Sequence, residues 1–195
     1  PSIVVLMGGG VRRAVVTAVL VASTLLWMPA LPAGAAAGDL DTSYGGGDGI
    51  LDLEALGLAN GHSSAFGAIQ ADDKVILSRY SNHSVGLGYD LVVARLNTDG
   101  SVDTSFGNSG LATVEAGSDV RLYPMGNPIV QPDGKIVVLA RRQNPPMTWS
   151  DVAVVRLNTD GSLDTSFGTS GLATTDLYTR DWPAAVAIQA DGKIV

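Results

Sequence analysis

The sequence predicts an all-β fold built from tandem antiparallel units of about 60 residues, a period that marks a repeat architecture. Three observations carry that prediction. Asp41-Thr42-Ser43-Tyr44-Gly45 returns as Asp103-Thr104-Ser105-Phe106-Gly107 and as Asp164-Thr165-Ser166-Phe167-Gly168, at offsets of 62 and 61 residues. Gln70-Ala71-Asp72-Asp73-Lys74 returns as Gln131-Pro132-Asp133-Gly134-Lys135 and as Gln189-Ala190-Asp191-Gly192-Lys193, at offsets of 61 and 58. Arg95-Leu96-Asn97-Thr98-Asp99-Gly100 recurs unchanged at 156–161. Three separate words keeping one period exclude coincidence.

The chain opens with a segment that reads as an address. Arg12 and Arg13 precede an uncharged apolar run from Ala14 to Met28, followed by Pro29, Pro32, Gly34 and the small residues Ala35, Ala36 and Ala37. A basic start, an apolar middle and a small-residue site make a signal peptide over 1–37, with cleavage expected after Ala37. The run covers 15 residues, short of the roughly 18 that suggest a membrane-spanning helix. An uncleaved amino-terminal anchor is the competing reading, because the uncharged stretch continues to Gly38. Met7 is the expected start, residues 1–6 being an over-extended gene start. The product is therefore expected to be secreted, extracellular or at the cell surface, with no stable transmembrane anchor in the mature chain.

Composition narrows the classes. All 19 acidic residues follow the leader and 10 of the 12 basic ones do, so the mature chain has a formal charge of −9. Such a chain repels phosphate backbones, which argues against nucleic acid as a partner. The absence of Cys excludes a disulfide framework and a zinc ribbon.

The repeats divide the remainder into units of about 38–106, 107–167 and 168–195, the last truncated, so the sequence reads as an amino-terminal fragment. Within a unit, Lys135–Ala140 and Asp151–Leu157 are β-branched runs of strand length bounded by turn residues. Pro183–Gln189 leads through Ala190–Lys193 into Ile194-Val195 as a strand, a tight turn and the start of its partner, and Gly110–Val114 supplies a fourth strand. Asn158-Thr159-Asp160-Gly161 places glycine where a type I turn needs a left-handed residue to make a bulged hairpin. Four antiparallel strands per unit match a propeller blade, giving a partial β-propeller-like fold; a β-solenoid or a row of tandem β-units is the alternative.

In order and wording, the three repeated words resemble the bacterial delta-60 repeat family, and the resemblance covers 39–195. Asp73 departs from its pattern by replacing the hairpin glycine, and Tyr44 by replacing Phe. The resemblance implies a secreted or surface β-repeat protein similar to propellers, with no established common chemistry.

In an up-and-down blade the repeated turns, Q-x-D-G-K and N-T-D-G, share one rim, and the second turn shares the other with the inter-blade link. That second turn keeps its length, since Lys74 to Asp90 and Lys135 to Asp151 both span 16 positions, yet almost every side chain changes. Residues that every blade needs recur, whereas residues that one site needs do not. Tyr80, His83, Tyr89, Arg141, Arg142, Trp149 and Trp182 are the expected binding residues of this variable rim, with Asn82, Tyr123, Gln143, Tyr178 and Arg180 beside them. Aromatic and Arg side chains of this kind stack on and hydrogen-bond to sugars or peptides. The competing reading has the tryptophans filling gaps between blades and the arginines solvated.

No cofactor is expected. Asn97-x-Asp99-Gly100-x-x-Asp103 and its repeat at 158–164 group oxygen donors around a glycine, which leaves calcium as an option, although the same residues make ordinary tight turns. No Cys and no G-x-S-x-G elbow is present, and His62 and His83 are each followed by Ser without forming a triad. The expectation is a non-catalytic exported scaffold or binding module for a carbohydrate, a peptide or a cell-wall component. The alternative is a secreted propeller hydrolase or lyase whose catalytic carboxylates lie partly in blades outside this sequence.

Overall fold

The computed structural model describes residues 5–7, 39–53, 65–82, 86–146, 148–177 and 180–195. The apolar run and cleavage site of the leader, His62, His83 and Tyr178 lie outside the described residues. Among the described residues every regular element is a strand, and no helix is long and apolar enough to cross a membrane.

Strands β1 (Val5–Met7) and β2 (Ile50–Asp52) pair in parallel. A first meander then runs through β3 (Phe66–Ile69), β4 (Val75–Asn82), β5 (Tyr89–Leu96) and β6 (Leu111–Val114), each antiparallel to the last. After β7 (Arg121–Pro124), a second meander repeats the plan with β8 (Ile129–Val130), β9 (Ile136–Asn144), β10 (Trp149–Leu157) and β11 (Leu172–Thr175). These are the predicted four-stranded units of a partial propeller-like all-β fold. The meanders are phased differently from the sequence words: β6 follows the D-T-S-F-G word yet pairs back onto β5, so each sheet unit straddles two repeats of the text.

Sequence did not anticipate β7. It lies between the meanders, antiparallel to β9 from Arg121↔Gln143 to Pro124↔Ala140 and bridged in parallel to β5 at Tyr89↔Arg121, so that one hydrogen-bonded sheet passes from one unit to the next. The expected strand over Pro183–Gln189 is much narrower than predicted, reduced to the bridge Ile188↔Ile194 and its flanking backbone bonds.

Both faces of the strands are buried, in keeping with the period-2 alternation of side chains. Val75 and Leu77 of β4 join Tyr44, Leu51, Leu53, Ala94 and Leu96 in one cluster. Ile76, between them in sequence, joins Leu91, Val93, Ile136, Val138, Val155 and Leu157 in the other, which fills the space between the two meanders. Burying a Leu, Ile or Val side chain contributes roughly 1.5–3 kcal/mol, so the inter-unit cluster is the main cohesive element between units.

The repeated turns form as predicted. Gln70, Gln131 and Gln189 each donate their backbone N–H to the carbonyl of the hairpin lysine at 2.8 Å. The third turn residue is left-handed each time: Gly134 at φ 81°, Gly192 at φ 82° and Asp73, where the glycine is missing, at φ 63°. Gly100 and Gly161 take φ 86° and 87° in the N-T-D-G turns.

Candidate functional site

The three repeated words meet at one carboxylate per unit. Asp103 Oδ2 accepts hydrogen bonds from Lys74 Nζ and from Arg95 Nε, each at 2.7 Å. Its Oδ1 accepts from the Ser105 N–H at 3.1 Å and Oγ at 2.6 Å. Asp164 repeats the node with Lys135, Arg156 and Ser166 at the same distances. The Lys hydrogen bond, reinforced by Ser105 or Ser166, holds both carboxyls far below the usual carboxylate range. Asp99 and Asp160 in turn accept from the N–H and Oγ of Ser101 and Ser162. Of the oxygens considered for calcium, Oδ1 of Asp99 and Asp160 and both oxygens of Asp103 and Asp164 thus accept from protein donors, which ties these turns into the scaffold. Among the described residues no three His, Cys, Asp or Glu side chains gather as a metal group.

On the opposite rim lies a different assembly. Tyr80 and Tyr89, neighbours across the β4–β5 ladder, have ring centroids 4.9 Å apart. Tyr123 of β7 packs edge-on to both, at 5.1 and 5.5 Å. The Arg141 guanidinium lies over the Tyr123 ring at 4.8 Å and over the Trp182 ring at 4.2 Å, while Arg121 covers Tyr89 at 4.8 Å. The outcome is a continuous ladder, Arg121–Tyr89–Tyr80–Tyr123–Arg141–Trp182, that crosses from one unit to the next. It ends on an indole 64% exposed. Rings and guanidinium groups stacked in this way are attracted through the ring quadrupole by about 0.5–2 kcal/mol per contact.

The structure brings four of the seven expected residues, Tyr80, Tyr89, Arg141 and Trp182, into this ladder. Three of them are strand residues: the antiparallel pairing continues to Asn82↔Tyr89 and Trp149↔Asn144, so the variable segment is mostly sheet where loop tips were expected. Arg142 is not in the ladder; its Nη1 stands 3.7 Å from Asp151 Oδ2, which also accepts from Asn144 Nδ2 at 2.9 Å. Trp149 is 54% exposed and, among the described residues, makes none of the ring and guanidinium contacts of the stack. Arg141 Nε is buried without a hydrogen-bond partner among the described residues.

Sequence reasoning missed Arg121. A signal was present: Arg121-Leu122-Tyr123-Pro124 and Arg180-Asp181-Trp182-Pro183 share Arg-x-aromatic-Pro at an offset of 59. The two arginines do the same work, with Arg121 Nε donating to the Leu87 carbonyl and Arg180 Nε to that of Thr148, both at 3.1 Å. Carboxylates on this rim are tied to the scaffold: Asp90 Oδ1 accepts from the Ala116 N–H at 2.9 Å and Asp181 Oδ2 from the Leu177 N–H at 2.8 Å.

A family described as a domain of unknown function (DUF5122), β-propeller, matches residues 70–106 and again 131–167. Searches of curated proteins and of solved structures returned no match. Each matched stretch holds one complete node, Lys74, Arg95 and Asp103 in the first and Lys135, Arg156 and Asp164 in the second. The twice-matched unit of this chain is therefore similar to that of a β-propeller family of unknown function.

Proposed function

We propose that the chain is the propeller-like part of an exported, non-catalytic binding module of the delta-60 type, and that its variable rim holds a polysaccharide of the cell wall or surroundings. The observation that carries this reading is the ladder from Tyr89 to Trp182, which ends in an exposed indole. An indole packed against a guanidinium is pre-organised, so a sugar ring can stack on it without freezing a mobile side chain. Trp149 adds a second exposed ring on the same rim. The basic, apolar and small-residue pattern of 12–37 supports export of the product.

The test is retention of the protein on isolated cell-wall polysaccharide, by pull-down and affinity electrophoresis. Trp182→Ala and Trp149→Ala together are expected to lower retention at least tenfold while the β-sheet circular dichroism is unchanged. Full retention by a folded double variant overturns the reading.

A further inference from the structure

The words at 41–45 and 103–107 each form a socket for the N-T-D-G turn of the meander that follows. At the joint between the meanders, three contacts fill it. The Phe106 ring lies against Gly161, where an added Cβ would stand 3.0 Å from the ring carbons and 2.8 Å from the Gly107 nitrogen. Gly107 donates its N–H to the Asp160 carbonyl at 2.7 Å, and Arg95 Nη1 donates to the Thr159 carbonyl at 2.7 Å. The preceding joint repeats the first two: the Tyr44 ring stands 3.1 Å from a Cβ placed on Gly100, and the Gly45 N–H donates to Asp99 at 3.2 Å. Phe106 is 0% exposed and Tyr44 4%.

Phe167, Gly168 and Arg156 form the same socket without an occupant. Asp164 fixes Arg156 through Nε at 2.7 Å, and the guanidinium lies over the Phe167 ring at 4.5 Å, as Arg95 lies over Phe106 at 4.7 Å. Gly168 holds φ 54°, matching Gly107 at 55°. Yet the Phe167 ring is partly exposed, and among the described residues neither the Gly168 N–H nor Arg156 Nη1 has an acceptor.

We infer that Phe167, Gly168 and Arg156 form a docking site for a β-hairpin turn of sequence Asn-x-Asp-Gly carried by a further unit of this same repeat. Two successive turn carbonyls take the two free donors, and the turn glycine, left-handed and without a Cβ, lies on the ring. A second copy of the chain is a poorer occupant, because its own turns at Gly100 and Gly161 are already capped by Tyr44 and Phe106. The glycine is the specificity element, since any side chain there enters the ring and the backbone nitrogen together.

The test follows the Gly168 amide and the Phe167 ring by NMR while the chain is titrated with a cyclised hairpin peptide, Arg-Leu-Asn-Thr-Asp-Gly-Ser-Leu-Asp. Both resonances are expected to move saturably, and amide exchange at Gly168 is expected to slow about tenfold toward that of Gly107. The same peptide with Val for Gly, and the Phe167→Ala chain, are expected to lose the effect. Absence of movement at millimolar peptide, or equal movement with the Val peptide, overturns the assignment. Polysaccharide retention at the opposite rim is read separately and is expected to be unchanged by Phe167→Ala.

Discussion

Lys74 and Asp103 are 29 positions apart in sequence and 2.7 Å apart in space, and the same pair recurs as Lys135 and Asp164. A hairpin of one strand pair is thereby fastened to the loop that leaves another. Arg95 adds a second cation to the same oxygen of Asp103. Removing the carboxylate leaves two cations facing each other, whereas removing one cation leaves the pair with the other intact. Asp103→Asn is therefore expected to lower the urea midpoint more than Lys74→Met does. A double-mutant cycle between these positions is expected to give a clear coupling energy, and additive losses would contradict the node.

The depressed carboxyls set the acid limit of stability. A carboxyl whose folded pKa lies below its unfolded value contributes stability that is complete above the unfolded value, near 3.8 here, and is lost as pH falls toward the folded value. Urea midpoints are expected to hold from pH 7 to about 5 and to drop steeply below about 4. In Asp103→Asn with Asp164→Asn that drop is expected to be shallower. At the alkaline end, burial and the nearby Asp99 push Tyr44 up to about 12, so this residue withdraws stability as pH rises from 10 through 12.

Gly161 is constrained twice, by φ 87° and by Phe106 and Gly107 within 3.0 Å of an added Cβ, whereas Gly126, at φ 128°, has open space around it. Gly126→Ala therefore costs conformational strain alone, of order 1–2 kcal/mol. Gly161→Ala adds displacement of an aromatic ring and a broken inter-unit hydrogen bond, and is expected to cost about 1–3 kcal/mol more. Thermal unfolding of the two variants decides it; equal losses would mean that the joint carries no weight. Phe106→Ala, which empties the same joint, is expected to cost about 3–5 kcal/mol, and Phe167→Ala much less because its ring is only partly covered.

The fold was legible wherever a turn needs a special backbone. Gly134, Gly161 and Gly192 announce left-handed positions, and the β-branched runs between them can only be strands. What was hidden depends on long-range pairing. Lys74 and Asp103 read as ordinary turn residues until the meander folds one onto the other. β7 was obscured because Arg121–Pro124 is only four residues long and contains a proline. Its partners lie in two different units, an antiparallel ladder with β9 and a single parallel pair with β5. At the rim, the residue types pointed to Tyr80, Tyr89, Arg141 and Trp182. They could not show that Arg142 is held by Asp151 or that Tyr123 joins the stack, because both depend on cross-strand register.

Asp73 offers the most local test of the repeat as a design rule. It holds φ 63° where the other two hairpins use glycine, and the Lys74 N–H donates to Asp72 Oδ1 at 3.3 Å, as Lys135 and Lys193 do to their own aspartates at 3.1 Å. The turn is thus geometrically complete and only its third residue is strained. Asp73→Gly removes a left-handed penalty of roughly 1 kcal/mol and returns part of it as greater freedom of the unfolded chain, about 0.5 kcal/mol. A net gain of up to about 0.5 kcal/mol is expected, read as a small rise in the urea midpoint with an unchanged slope. Asp73→Val keeps the Cβ and adds a branch at positive φ, so it is expected to lower the midpoint by several times that amount. A destabilised Asp73→Gly would show that the Asp73 carboxylate, and not the backbone of the turn, is what this hairpin depends on.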